Sequence, residues 1–77
     1  MNQAILILKG QKPSIINITS GITSLFWMLP DGSETELEVY MARAETINGD
    51  FVDCIVATND SELSPRDISR ALEETSK

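Results

Sequence analysis

Histidine is absent from these 77 residues. That removes the side chain that most often serves as a general base, as the partner of a catalytic serine or cysteine, and as a zinc ligand. Cysteine occurs once, at Cys54, so no internal disulfide can form, and a reducing, cytoplasmic setting is expected. Cations are scarce: six Lys and Arg against twelve Asp and Glu leave a net charge of −6. A chain this acidic is not expected to grip a nucleic-acid backbone directly, which calls for clustered Lys and Arg. The charge fits a protein partner with a basic surface, or simply a soluble protein. Long apolar runs are missing as well. The run at residues 4–8 is too short for a secretion signal or a membrane span, so no membrane is expected among the partners. None of the Gly-rich phosphate loops or nucleophile elbows occurs, and Gly10-Gln11-Lys12 reads as a turn.

What is present is a globular composition. Apolar residues make up 42% of the chain, too many for a disordered one. The length predicts a single domain over residues 1–77 with a modest core, stable by about 3–5 kcal/mol. The charge is unevenly placed. Residues 1–30 carry +2, residues 31–62 carry −8, and residues 63–77 are neutral.

Residues 4–8 form a continuous apolar run that reads as a buried strand. Gly10 to Pro13 is a turn, and residues 14–19 complete an N-terminal hairpin. Residues 22–29 form a third strand, with Leu25, Trp27 and Leu29 on one face and Phe26 and Met28 on the other. Both faces are apolar, so this strand is either central or offers one face as a contact surface. Pro30-Asp31-Gly32 is a turn in which Pro presets φ and Gly supplies a positive φ.

Residues 33–47 admit two readings. As a helix, Ser33 would be the N-cap, Glu36 would complete a capping box, and Leu37, Tyr40, Met41 and Ala44 would form the stripe. As a strand, Thr35, Leu37, Val39 and Met41 share one face, and Glu34, Glu36, Glu38 and Tyr40 share the other. The tight turn before this segment and Asn48-Gly49 after it favour the strand. Residues 51–57 are the last strand, with Val52, Cys54 and Val56 facing inward together. Ser64 caps a C-terminal helix with Pro65 at its first position and Asp67 at its third. Leu63 and Ile68 form its hydrophobic staple, and Ile68, Ala71 and Leu72 its apolar stripe. The expected fold is α+β: an antiparallel meander of about five strands with one C-terminal helix packed on the sheet. One short helix cannot cover both faces, so the remainder must curl into a small barrel or pair with a second copy.

No residue carries recognisable catalytic chemistry, and a non-enzymatic protein without metal or cofactor is the expectation. Cys54 stands alone on an apolar strand, without the basic neighbour an activated thiolate needs. The acid pairs Asp50 with Asp53 and Asp60 with Glu62 lack a calcium-loop pattern and read as solvated loop acids. Arg66 and Arg70 share a helix face that nearby acids neutralise. The sharper feature is the row of Glu34, Glu36 and Glu38, with Asp31 near one end. On a strand these carboxylates recur every 6.5–7 Å or so. They read either as an edge kept charged against aggregation or as a row that occupies a groove built for nucleic acid. Trp27, with Phe26 and Met28, reads either as the centre of the core or as a contact surface, and Trp27 and Tyr40 are the candidate anchors of a contact. The expected function is a small acidic regulator or inhibitor that binds a basic protein surface, with a homodimer or assembly subunit as the alternative. Phage-encoded inhibitors of host defence often have this size and charge, an analogy of class and not of sequence.

Overall fold

Local sequence rules set most of the elements. The computed structural model describes residues 2–75. It contains β1 (Asn2–Ile7), β2 (Ser14–Ile18), β3 (Ser24–Met28), β4 (Glu34–Glu45), β5 (Phe51–Thr58) and α1 (Pro65–Thr75). Within residues 33–47, Glu34–Glu45 are strand and not helix, because both flanking loops close hairpins onto them. The Leu29 N–H donates to the Ser33 carbonyl at 2.7 Å, and the Gly32 N–H donates to the Leu29 carbonyl at 2.9 Å. The second loop repeats this pattern: Thr46 N–H to the Asp50 carbonyl at 2.7 Å, and Gly49 N–H to the Thr46 carbonyl at 3.0 Å. Gly32 and Gly49 have φ of 91° and 85°. These are three-residue hairpin loops whose last position is left-handed, which is why glycine stands there.

The strand order is β2-β1-β5-β4-β3. All the pairings are antiparallel except β1 with β5, which is parallel, with Ile5, Leu6 and Ile7 opposite Val56, Ala57 and Thr58. The antiparallel meander is therefore corrected to a mixed sheet, curled into a half-barrel. The physical reason lies in the central pair. Ala4, Ile5 and Leu6 are buried in succession, as are Val56, Ala57 and Thr58. Strands apolar on both faces need neighbours on both sides and cover above and below, and this is the environment in which parallel pairing occurs.

One face of the sheet closes on itself. Ala4, Leu6, Leu8, Ile18, Leu37, Val39 and Ala57 form its core, with Ile16 from β2 and Leu25 and Trp27 from β3 packed against it. Both edge strands thus contribute to one cluster, as a curled sheet requires. The other face carries α1 over Ala44 and Val56, with Ile7, Tyr40, Ala42 and Cys54 beside Ile68, Leu63 and Leu72. The helix starts as its sequence predicts. The Asp67 N–H donates to Ser64 Oγ and the Ser64 N–H donates to Asp67 Oδ2, both at 3.2 Å. The Ser64 N–H, and after it the Ser64 side chain, hold the Asp67 carboxyl below its ordinary value.

Leu37 is fully buried where the β3–β4 and β4–β5 pairings meet. Leu37→Ala is expected to cost about 2–5 kcal/mol, most of what a domain of this size has to spare. Urea denaturation followed by the fluorescence of Trp27, the single tryptophan, measures it. A loss below about 1 kcal/mol would show that the site collapses around the gap.

Candidate functional site

The long β4 strand pairs with different neighbours along its two halves. Residues 34–38 pair with β3 and residues 38–45 with β5. The helix lies over the second half, where Ser69 Oγ accepts from the Glu45 N–H at 3.2 Å. The first half projects beyond it with the β3 edge. Its outer face, on the helix side of the sheet, is open to solvent.

Glu34, Glu36 and Glu38 all point to that face and are exposed. The register sets Met28 opposite Glu34, Phe26 opposite Glu36 and Ser24 opposite Glu38. Residues opposite one another share a face, so the glutamates stand beside Phe26 and Met28. These two apolar side chains are 69% and 66% exposed. The Leu29–Ser33 and Val39–Thr23 backbone bonds fix the alternation of the ladder. By that alternation these three pairs are the ones without mutual hydrogen bonds, in which facing side chains come closest. A column of two large apolar groups therefore runs alongside a column of three carboxylates.

The surface continues past Glu38. A shallow depression of about 340 Å³ lies between the hairpin and the residues that follow β5, and Glu36, Glu38 and Asp60 line it. Asp60 is fixed there by its N–H bond to Thr58 Oγ1 at 3.0 Å, and its Oδ1 accepts from the Glu62 N–H at 2.9 Å. At the other end, Asp31 sits at the hairpin tip. Its Oδ1 accepts from Ser33 Oγ at 2.6 Å and from the Ser33 N–H at 2.9 Å, which holds its carboxyl below the ordinary value. The Asp31 charge is thus present at neutral pH, with its carboxylate committed to the turn.

Of the two expected anchors, Tyr40 lies on the glutamate face but half-buried, packed against the cluster beneath α1. Burial, and then the charge of Glu38, pushes its phenol above the usual value near 10. Trp27 lies on the opposite face, half-buried against the closed core, so the structure does not bring it together with the glutamates. Phe26 and Met28 take the place beside the carboxylates. Their alternation with Trp27 is written in the sequence, but which face is left uncovered depends on β3 being an edge strand.

The remaining candidates are dispersed. Cys54 is half-buried beneath α1, and burial followed by Asp53 pushes its thiol up, which opposes thiolate formation. Asp53 faces Arg43 across the β4–β5 pair at 3.5 Å, an exposed ion pair of little energetic weight. Arg66 and Arg70 are exposed on α1. Among the described residues, no group of three or more Cys, Asp or Glu is arranged to hold a metal ion, and no helix is long and apolar enough to cross a membrane. No protein-family model, characterised protein or solved structure matches the chain.

The single tyrosine makes this electrostatic account measurable. A folded-state phenol value raised above the unfolded one means that its contribution to stability is fully present below pH 10 or so, and is lost as pH rises through the folded value. Ultraviolet titration is expected to place the wild-type midpoint above 10. Glu38→Gln should lower it without restoring the ordinary value, because burial is the larger cause. An unchanged midpoint in that variant would remove Glu38 from the environment of Tyr40.

Proposed function

We propose that this chain is a non-enzymatic protein-binding module, a small regulator or inhibitor. It docks the outer face of the β3–β4 hairpin onto a basic surface of a target protein. The observation that carries this reading is the register that sets exposed Phe26 and Met28 directly beside Glu36 and Glu34. Solubility alone accounts for the glutamates, but not for two exposed large apolar residues held alongside them. Apolar anchors within a charged surround are the usual anatomy of an interface, with the apolar groups supplying the energy. The charged surround supplies steering and selection of the partner.

In the most concrete version the target is a nucleic-acid-handling protein. The carboxylate row, spaced by about 6.5–7 Å along the strand, occupies the groove that otherwise takes a phosphate backbone. Inhibitors directed by phages against host defences would act in this way. Tyr40 contributes the rim between hairpin and helix, and Asp31 the charge at the tip.

The test is capture from a lysate by the wild type, by Glu34→Lys/Glu36→Lys/Glu38→Lys, and by Phe26→Ser/Met28→Ser. All three proteins are expected to fold, because the altered side chains are exposed. Both variants should lose a basic protein that the wild type retains. The wild-type complex should weaken between about 0.01 M and 0.15 M salt, as the screening length falls from about 30 Å to about 8 Å. Equal capture by all three would remove this face from the interaction, and recovery of further copies of the chain alone would favour the homodimer.

A further inference from the structure

The outer edge of β3 borders the same hairpin face and is unpaired among the described residues. Two bonds fix which of its backbone groups are used. The Val39 N–H donates to the Thr23 carbonyl at 2.9 Å, and the Leu29 N–H donates to the Ser33 carbonyl at 2.7 Å. In an antiparallel pair the direction of the backbone groups alternates from residue to residue. Thr23, Leu25, Trp27 and Leu29 therefore face β4. Ser24, Phe26 and Met28 turn their N–H and C=O groups to the free side, where no strand follows β3 in the sheet. Among the described residues, none of these three N–H groups has a hydrogen-bond partner.

Sheet edges of this kind are normally blunted by Lys, Pro, a bulge or a covering segment. β3 reads Ser-Leu-Phe-Trp-Met and has neither a charge nor a proline. The other free edge, β2, is equally uncharged, but no row of carboxylates stands behind it. Only at β3 does the neighbouring strand specify what should arrive. The outer-face side chains of an added strand would lie about 9–10 Å from the Glu34–Glu36–Glu38 column, two strand spacings away, with Phe26 and Met28 between. A lysine or arginine reaches that far by laying its aliphatic stem across the apolar column, and its cation can also stack on the Phe26 ring. Residues on the inner side of the added strand would meet Leu25 and Trp27, which are half-buried and apolar.

Resting on the reading that the hairpin binds a basic protein surface, we propose that β3 takes up an extended segment of its partner as a sixth strand, with basic residues alternating with apolar ones. This is strand addition, in which backbone bonds give affinity and alternate side chains give selection.

An eight-residue peptide of alternating lysine and valine is the probe, beside the same peptide N-methylated at alternate residues on the bonding side. Binding is read by calorimetry at low salt, and amide hydrogen exchange of the protein is read by NMR. The unmodified peptide is expected to bind and to slow exchange at Ser24, Phe26 and Met28, while Leu25 and Trp27, already bonded, change little. N-methylation should weaken binding about tenfold or more, since at least two backbone bonds are lost. If both peptides bind alike and no alternating protection appears, strand addition is wrong, while the acidic face remains a binding surface. If neither binds, strand addition is likewise overturned, and lysate capture by the charge variants decides the broader reading separately. If the protein alone sediments as a dimer with those three amides protected, the edge belongs to a second copy, and the proposal fails.

Discussion

Everything on this molecule is placed by the staggered pairing of β4. A strand of twelve residues is more than either neighbour can cover, so β3 holds its first part and β5 its second. Leu37 and Val39, buried on its inner side at the changeover, tie both hairpins to one core. The helix needs an apolar floor, and β4 provides one only in its second half, at Ala42 and Ala44 beside Val56. Glutamates occupy the same face in the first half, so the helix cannot extend there. Where α1 lies and where the exposed hairpin face begins are thus two results of one change of side chain along a single strand.

That division also explains how so small a domain tolerates Phe26 and Met28 in water. Their exposure gains nothing for the fold, since apolar area contributes only when it is removed from solvent. Against aggregation, the three carboxylates alongside provide repulsion between copies at close range, strongest at low salt. In the proposed interaction the same carboxylates would attract a partner of opposite charge. One electrostatic feature would thus discriminate against the chain itself and in favour of a basic surface, and repulsion of the wrong partner commonly underlies specificity in this way.

What was legible in the sequence was local. Ser64, Pro65 and Asp67 announce the helix start and Gly32 and Gly49 the two hairpin turns, and those turns tip the two readings of residues 33–47 toward the strand. Each is fixed by residues within a few positions of one another, and each stands in the structure as read. The parallel contact of β1 with β5 joins residues some fifty positions apart, and no local signal encodes it. The one available hint was that both strands are apolar on both faces, which argues for adjacent central places. In a meander β3 would be the central strand, whereas here it is an edge. The row of glutamates follows from period two alone, but the exposure of Phe26 and Met28 depends on β3 lying at an edge. Trp27, the more conspicuous aromatic, lies on the opposite face against the core, as the alternation of β3 predicts.

The edge position has one further consequence. Along a strand, side-chain direction and backbone hydrogen-bond direction alternate with the same period of two. On β3 the two alternations are locked in a particular phase: the residues with free backbone groups, Ser24, Phe26 and Met28, are also those whose side chains stand beside the glutamates. A strand bonded to those groups cannot choose which of its faces meets the carboxylates. Shifting it by one residue exchanges all its basic side chains for apolar ones. Backbone pairing at this edge would therefore act as a ruler for charge: a basic-apolar segment in the correct phase satisfies both the bonds and the charges, and the same segment out of phase satisfies only the bonds.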